Sequence, residues 1–318
     1  MTKNDKRQDM AARAAWMYYI GGQTQNQIAD VLGVSRQVAQ RLVAAASEME
    51  LVQVRISHTV AHCASLAEQM MQVFGLTRCQ VVPSAGLPAE TIQHMITVSA
   101  AEEIEWAVQP EQPQIIALGS GRTLRGAVKE MSEIPRPQHS CLSRIGAIAS
   151  DGSCTIYDVS LSLAEKTSGK YFILPAPLFA DSPEDREVWC NHRIYKLIIE
   201  QTALADATFI GIGPISFECP LFTGGFITRE DVQRLMAAGA VAEINGHFID
   251  SLGERLPDQL DKRCTSIPLE RAPVRQLTAF AGGEDKFQAI QAVLRGKWIN
   301  GLVTDESTAE RLLLEHLP

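Results

Sequence analysis

The segment Gly119-Ser120-Gly121-Arg122-Thr123 lies between a short apolar run and a helix-like sequence. Two glycines leave backbone N–H groups accessible, and the helix that follows offers the positive end of its dipole. Arg122 and Thr123 add a guanidinium and a hydroxyl, so the segment predicts a phosphate site. The alternative is a strand-to-helix turn that needs its glycines for backbone reasons only, and the sequence of this segment leaves both open.

A second glycine pair, Gly282-Gly283, precedes Lys286 at the start of another predicted helix. A lysine in this position opposes the helix dipole, which favours a compensating anion nearby. Lys286 is therefore a second predicted phosphate contact, and the alternative is a lysine that faces solvent.

Three further polar residues, Glu243, Asn245 and Asp250, lie in the segment EINGHFID. Carboxylate and amide groups form hydrogen bonds with sugar hydroxyls, so these side chains are predicted to contact a sugar or polyol. The alternative is that Asn245 and Gly246 form only a turn and that Asp250 only caps a neighbouring segment.

Side chains suited to reading DNA cluster in the N-terminal part of the chain, at Ser35, Arg36, Gln37, Gln40 and Arg41. Arginine pairs bidentately with guanine and glutamine with adenine in the major groove. Ser35 and the start of its helix can hold a phosphate. These residue types predict a recognition helix that binds operator DNA.

The elements that would position them are two short helices joined by a tight turn. Thr24 caps the first helix and, with Gln25, is also expected to contact DNA; Gly33 supplies a left-handed turn and Ser35 caps the second helix. Ala39 stands where such motifs usually carry a bulkier residue. The predicted apolar faces are Ile28, Ala29, Leu32, Val38, Leu42, Val43 and Ala46. This pattern is typical of a helix-turn-helix, and the alternative is a solvated amphipathic helix pair.

Three segments are predicted from the change of pattern along the chain. Residues 1–57 form an all-α helix-turn-helix domain that ends in a strand-like wing at 51–57. Residues 58–77 hold a linker helix whose stripe, including Leu66 and Met70, packs on its own domain or on a second subunit, with a dimer contact favoured. Residues 78–318 form the larger domain.

The larger domain alternates short apolar strands with helices, which predicts a mainly parallel α/β fold. The predicted strands are 79–83, 114–118, 142–148, 171–175, 208–212, 277–281 and 301–304. The predicted helices are 90–107, 124–131, 157–167, 185–204, 229–237, 286–294 and 307–314, with a partly paired segment at 239–249. Because parallel sheets bind ligands beyond the carboxyl ends of their strands, the loops described above are where a ligand is expected.

Composition fits a globular protein, because 46% of the 318 residues are hydrophobic and 21% are charged. No apolar run approaches membrane length and the N-terminus is charged, so we expect a cytoplasmic protein without membrane contact. The seven cysteines are scattered, and neither a metal nor a cofactor is predicted.

Net charge is −8, but residues 1–57 carry seven basic and five acidic side chains and are therefore mildly basic. One DNA-binding domain with so small a positive charge neutralises few phosphates, so binding to DNA is expected to require a homodimer or homotetramer.

The helix-turn-helix is followed in order by GSGRT, LPAPL, TFIGIGPI, GAVAEINGHFID and AGGEDKFQAI. In this order the motifs resemble the SorC-type family of bacterial sugar-responsive transcriptional regulators. The resemblance implies a C-terminal domain similar to glucosamine-6-phosphate deaminases and ribose-5-phosphate isomerases, kept as an effector sensor. It also implies a dimer or tetramer on the operator of a sugar or polyol operon, with an effector that is often phosphorylated.

The resemblance carries over to individual residues. Residues 119–123 match the phosphate loop of the family, Lys286 matches the lysine of its last glycine-rich loop, and the segment with Glu243, Asn245 and Asp250 matches the sugar end. The family segment is commonly GAVGD, whereas this chain has GAVAE, which suggests a differently shaped ligand.

The function predicted from these observations is a transcriptional regulator of a sugar or polyol catabolic operon, controlled by a sugar phosphate or polyol. The alternative is a sugar-phosphate isomerase-like or deaminase-like enzyme with an appended DNA-binding domain. The acid-and-histidine lid motif of the deaminases is absent from the sequence, so no catalytic residue is predicted. A scaffold on DNA without a ligand is less favoured because it would leave the glycine loops without an anion. Repression and activation both stay open.

Overall fold

The computed structural model describes residues 3–49, 51–52, 61–148 and 159–316. The chain forms two compact units, Met1–His58 and Thr59–Pro318, each with its own core. No described helix is long and apolar enough to span a membrane.

The first unit consists of three helices, α1 (Lys3–Tyr19), α2 (Gln25–Leu32) and α3 (Arg36–Glu48). Thr24 and Gln27 form a reciprocal capping box at the start of α2, and Gly33 ends that helix with φ 65°, a conformation that favours glycine. Small side chains let the helices approach closely. The core is Ala11, Ala14, Ala15, Ile28, Ala29, Ala39, Leu42, Val43 and Ala46.

The core of this unit differs from the predicted one at Val38 and Ala39. Ala39 is fully buried whereas Val38 is 37% exposed, so the prediction that Val38 belongs to the apolar face is wrong. Ala39 stands three, four and seven residues before Leu42, Val43 and Ala46, which is the helical core spacing. The wing predicted over 51–57 falls mostly outside the described residues.

The second unit opens with α4 (Ala61–Phe74), whose Leu66 and Met70 are buried in the core of the same unit. The helix predicted as a linker with a dimer contact therefore packs on its own chain through this stripe. The other helices are α5 (Ala89–Val108), α6 (Arg122–Glu130), α7 (Ser160–Thr167), α8 (Pro183–Asn191), α9 (Arg193–Ala203), α10 (Pro220–Thr223), α11 (Arg229–Ala237), α12 (Gln259–Arg263), α13 (Phe287–Arg295) and α14 (Glu306–Leu314).

A seven-stranded parallel sheet forms the centre of this unit, which confirms the predicted fold class. Its strands are β1 (Arg78–Val82), β2 (Ile115–Leu118), β3 (Ser140–Ile148), β4 (Lys170–Pro177), β5 (Ala207–Gly211), β9 (Gln276–Phe280) and β10 (Gly301–Asp305). Their order is β1-β10-β9-β5-β2-β3-β4, and every pair is parallel. Strands β2, β3 and β4 progress towards one edge, and β5, β9 and β10 towards the other. The order in which successive strands are added to the sheet therefore reverses between the neighbours β2 and β5. In α/β folds the ligand crevice forms at such a reversal.

Helices cover both faces of the sheet, as a parallel sheet requires. On one face α5, α6 and α7 pack over Ile116, Phe209 and Phe280. On the other face α4, α13 and α14 pack over Ile210 and Ala279. The alternation of Phe209 and Ile210 between the faces follows the two-residue period of a strand.

A small antiparallel sheet lies beside the main one and contains β6 (Gly213–Pro214), β7 (Ala240–Ile244) and β8 (His247–Asp250). Strand β6 follows β5 almost directly and pairs with β7. Ile244 packs in the main core, whereas Phe248 packs with α11 and α12 in a separate cluster. The segment predicted as partly paired is therefore a hairpin anchored to the end of β5.

The helix predicted over 185–204 is two helices, α8 and α9, so that prediction is wrong. The chain breaks at His192, which has extended backbone angles of −62° and 137°. Its Nδ1 accepts a hydrogen bond from the Ile194 N–H at 3.3 Å and caps α9. Continuous helical periodicity concealed the break because histidine is an uncommon capping residue.

Candidate functional site

The predicted phosphate loop, residues 119–123, joins β2 to α6 at the point where the strand order reverses. Gly121 precedes α6 with φ 139°, which favours glycine, and in the described structure no side chain caps this helix. A Cβ on Gly121 would lie 3.9 Å from the Cα of Gly211, at the end of β5. The loop therefore presents an uncapped helix N-terminus to the crevice between β2 and β5, where N–H groups attract anions.

Two cations reach this place from different loops. Arg122 is exposed on the first turn of α6, and Lys286 is half-buried at the end of a 3-10 turn after Gly283. Burial lowers the pKa of Lys286, the positive charge of Arg122 lowers it further, and Asp285 opposes both. The two cations are therefore close enough to repel each other, which an anion between them would relieve.

The remaining side chains of the loop differ in accessibility. Thr123 is buried, and its hydroxyl accepts a hydrogen bond from Gln93 Nε2 at 3.0 Å. Gln93, on α5, was not identified in the sequence because nothing links it to the loop before the fold is known. The Gly119 N–H donates to Phe209 O at 2.9 Å and so serves the sheet.

Asn245 lies against the phosphate loop, so the structure brings these two predicted segments together. A Cβ on Gly119 would lie 3.2 Å from Asn245 Cγ and 3.3 Å from its Nδ2, with Oδ1 still closer. Asn245 occupies the left-handed region with φ 50° in the hairpin turn. Its side chain is buried, and its Nδ2 has no hydrogen-bond partner in the described part of the chain. A buried donor without a partner is uncommon, and a ligand oxygen would satisfy it.

Glu243 lies on the same hairpin and faces the end of β5. One carboxylate oxygen accepts a hydrogen bond from the Gly246 N–H, and the other lies 3.3 Å from where a Cβ on Gly213 would be. Burial raises the pKa of Glu243, although the Gly246 hydrogen bond and the charge of His247 oppose the rise. A carboxyl group in this position can accept or donate a hydrogen bond to a hydroxyl.

Asp250 is not brought together with these residues. It lies at the opposite end of the hairpin, where it pairs with Ala240. Its Oδ1 accepts hydrogen bonds from the N–H groups of Leu252 and Glu254 at 2.9 and 2.8 Å. The alternative that the sequence left open, a capping role, therefore describes its position.

A buried polar cluster supports the hairpin turn from behind. His247 Nδ1 lies 3.1 Å from Asp261 Oδ1, and its Nε2 lies 4.0 Å from Cys264 Sγ. Burial lowers the pKa of His247, but the negative charge of Cys264 and the hydrogen bond to Asp261 outweigh it and raise the pKa to about 9. Arg255 also binds Asp261, at 2.8 Å. These residues fix the turn that carries Asn245, and their separation in sequence hid the cluster.

One group of three possible metal ligands is present among the described residues, on α4 and α14. His62 Nε2 lies 2.8 Å from Glu310 Oε1 and 3.8 Å from Glu306 Oε1. An imidazole between two carboxylates is an ion-pair arrangement that needs no metal.

The predicted recognition helix presents its polar side chains outward. Ser35, Arg36, Gln37, Gln40 and Arg41 are all exposed. Ser35 Oγ accepts a hydrogen bond from the Val38 N–H at 3.4 Å, so its own proton is available to a phosphate oxygen.

The residues at the start of α2 are less available. The Thr24 hydroxyl is engaged with Gln27 in the capping box, and Gln25 is half-buried. Val38 is exposed among the polar residues of α3, although it was predicted to lie on the apolar face. An apolar side chain there suits the methyl group of thymine.

The chain matches known regulators over nearly its whole length. Residues 58–314 match the family model described as "Putative sugar-binding domain". The erythritol catabolism regulatory protein EryD of Brucella abortus (strain 2308) is 32% identical over 312 residues, covering 97% of this chain and 98% of EryD. The transcriptional regulator LsrR of Klebsiella pneumoniae is 28% identical over 310 residues, covering 96% of this chain and 93% of LsrR.

Solved structures give the same result. The full-length sorbitol operon regulator SorC of Klebsiella pneumoniae superposes with a TM-score of 0.74 at 25% identity, covering 96% of this chain and 98% of SorC. A probable sor operon regulator from Shigella flexneri superposes with a TM-score of 0.68 at 27% identity, covering 79% of this chain and 99% of that protein. These relatives are regulators and not enzymes, so the predicted resemblance is confirmed and the enzyme alternative is not supported. The chain belongs to the sugar-binding family of SorC-type transcriptional regulators.

Proposed function

We propose that this regulator acts in the cytoplasm on the operator of a sugar or polyol catabolic operon. Helix α3 reads the operator, and the crevice between β2 and β5 binds the effector. The observation that carries the effector half is the uncapped start of α6 where the strand order reverses, beside the buried Asn245 Nδ2 that has no partner among the described residues. Arg122 on the first turn of this helix, and Lys286, whose pKa the charge of Arg122 helps to lower, favour a phosphate there.

The effector we propose is a phosphorylated sugar or polyol. Its phosphate would bind residues 119–123 and Lys286, and its hydroxyls would bind Glu243 and Asn245, whose Nδ2 is otherwise without a partner among the described residues. The name of the similar protein EryD refers to erythritol catabolism, which makes a four-carbon polyol phosphate the first candidate. A free polyol held by Glu243 and Asn245 is the alternative.

The DNA half of the proposal follows from the exposed polar row on α3. Arg36, Gln37, Gln40 and Arg41 would contact base edges, while Ser35 would hold a phosphate. Thr24 and Gln25 would contact the DNA backbone through the start of α2.

A single helix-turn-helix unit of this size contacts few phosphates. We therefore propose that a homodimer or homotetramer binds two half-sites whose centres are about 34 to 36 Å apart, or a multiple of that distance. Sedimentation of the protein on selected DNA tests this stoichiometry. A monomer both free and on DNA would contradict it.

Isothermal titration tests the effector site. The wild-type protein should bind erythritol 4-phosphate more tightly than erythritol, and Arg122→Ala should weaken the phosphate ester by about 10- to 100-fold, the worth of a charge-assisted hydrogen bond. Lys129→Ala is the matched control, because Lys129 is exposed on the same helix two turns beyond the loop. Equal affinity of wild type and Arg122→Ala for the phosphate ester would contradict the phosphate loop and favour the free polyol.

A further inference from the structure

Arg144 is a buried cation that neither the sequence motifs nor the proposed phosphate loop use. It lies on β3 directly after Ser143, which pairs with Leu118 at the end of β2. Arg144 is therefore level with Gly119, one strand away across a spacing of about 4.8 Å. Only 7% of Arg144 is exposed, and its Nε has no hydrogen-bond partner in the described structure.

The backbone around Arg144 opens a gap in the sheet. Between Leu142 and Gly146 strand β3 uses four residues where β4 uses two, so the pairing is interrupted. The segment that fills the gap donates a hydrogen bond from the Ile267 N–H to Arg144 O at 3.0 Å. Ser266, directly before Ile267, is buried, and its side chain hydrogen-bonds to Cys264.

This filling segment leads back to the effector crevice. Cys264 Sγ lies 3.9 Å from Asn245 O, so the run from Cys264 to Ile267 connects the hairpin turn to Arg144. Two buried side-chain atoms that have no hydrogen-bond partner among the described residues, Asn245 Nδ2 and Arg144 Nε, therefore lie at the two ends of this connection. Native proteins leave few such atoms, and two of them beside a crevice point to a ligand.

The charge of Arg144 indicates what kind of group it would bind. Burial lowers its pKa to about 10, and the nearby charge of Glu270 opposes this change. The guanidinium therefore stays protonated at neutral pH, while Glu270 is itself exposed to solvent. A buried cation is costly unless an anion pairs with it, and a neutral hydroxyl would leave its charge uncompensated.

We propose that Arg144 forms a second oxyanion subsite, which binds a carboxylate or a second phosphate of the effector, apart from the phosphate that residues 119–123 bind. This inference rests on the proposed function and narrows it. The effector would carry two anionic groups, as a phosphorylated sugar acid or a sugar bisphosphate does. A guanidinium binds either group bidentately, so the geometry of one subsite serves both.

Titration of matched ligands tests the subsite. The probes are erythritol 4-phosphate, the corresponding acid 4-phosphoerythronate, and erythritol 1,4-bisphosphate, which differ only in the group at the far carbon. The wild-type protein should bind the acid or the bisphosphate at least about 10-fold more tightly than the monophosphate. The preferred probe identifies which of the two oxyanions the subsite takes.

Variants separate Arg144 from the phosphate loop. Arg144→Met keeps the length of the side chain without its charge and should abolish the preference while leaving erythritol 4-phosphate binding within about 3-fold. Arg144→Lys keeps a positive charge and should retain part of the preference for the acid or the bisphosphate over the monophosphate. If Arg144→Met fails to fold, the affinities of Arg144→Lys for the three probes test the subsite instead. Arg122→Ala should weaken all three probes by a similar factor, because each carries the phosphate that the loop binds.

The outcomes distinguish this inference from the proposed function. Equal wild-type affinity for the three probes, or a preference that survives in Arg144→Met, would overturn the second subsite. If the monophosphate still required Arg122 in that case, the phosphate loop would stand. Failure of all three probes to bind would overturn both.

Discussion

Substitution of Gly119 by alanine changes the contact between the phosphate loop and the hairpin without touching any charged group. The φ angle of Gly119 is not positive, so alanine is compatible with the backbone and the cost is steric. The added Cβ overlaps Asn245 Oδ1 and comes within 3.2 Å of its Cγ. The obstacle is a side chain, and Asn245 has to withdraw by roughly 1 Å to restore van der Waals contact.

The expected cost follows from the behaviour of overpacked cores. Displacement of a buried side chain by one extra methyl group costs about 1 to 3 kcal/mol. In a unit of this size each kcal/mol lowers the unfolding midpoint by about 2 to 4 °C, so the midpoint should fall by several degrees. Effector affinity should fall as well, because Asn245 is moved from the position that faces the ligand.

A double-mutant cycle separates the two effects. Calorimetry should show that Asn245→Ala placed on Gly119→Ala restores much of the lost stability, since the overlap is removed, whereas effector binding stays weak. Gly126→Ala is the control, because its Cβ meets Thr97 Cγ2 at 2.9 Å between α5 and α6 instead of at the hairpin. If the effects of Gly119→Ala and Asn245→Ala on the free energy of unfolding were additive, the steric contact between the two positions would be refuted. Unchanged effector affinity in Gly119→Ala would refute the proposal that Asn245 contacts the effector.

Two further predictions concern α3 and the buried cluster behind the hairpin. Arg36→Ala should cost about 1 to 3 kcal/mol on selected operator DNA and relax base preference at one position, as fluorescence anisotropy would show. An equal loss on random DNA would reassign Arg36 to a phosphate contact. The charge of Cys264 and the hydrogen bond to Asp261 raise the pKa of His247 from 6.5 to about 9, so the protonated imidazole stabilises the fold below pH 6.5 and this contribution is lost as pH rises through 9. The stability difference between wild type and His247→Gln should therefore shrink between pH 6.5 and 9, and a constant difference would argue against a protonated His247.

The sequence predicted the strands and most helices of the larger unit because its apolar runs are short, separated by glycine and proline, and buried on both faces. The predicted strand over 277–281, for example, differs from the observed Gln276–Phe280 by one residue at each end. The motif order also located residues 119–123 and Lys286 on loops that the fold brings together. Adjacent carboxyl ends are a consequence of parallel topology, so this part of the site was predictable.

Other parts of the site depend on contacts between distant segments. Asp250 and Asn245 stand five residues apart in sequence, and only the hairpin shows that they lie at opposite ends. Arg144 sits in an interrupted pairing between β3 and β4 that leaves no periodic signal. The break at His192 was hidden because apolar residues on both sides of it keep a helical spacing.

The coupling between the two proposed ligands is the most direct test of the account. Operator DNA selected by the full-length protein from a random pool would be titrated by fluorescence anisotropy with and without saturating effector phosphate, for wild type and Arg122→Ala. We predict that the effector changes wild-type operator affinity by about 5- to 150-fold, the usual range of allosteric coupling. Arg122→Ala should bind the operator normally and require far more effector for the same change. Identical operator affinity with and without bound effector in the wild-type protein would contradict the account.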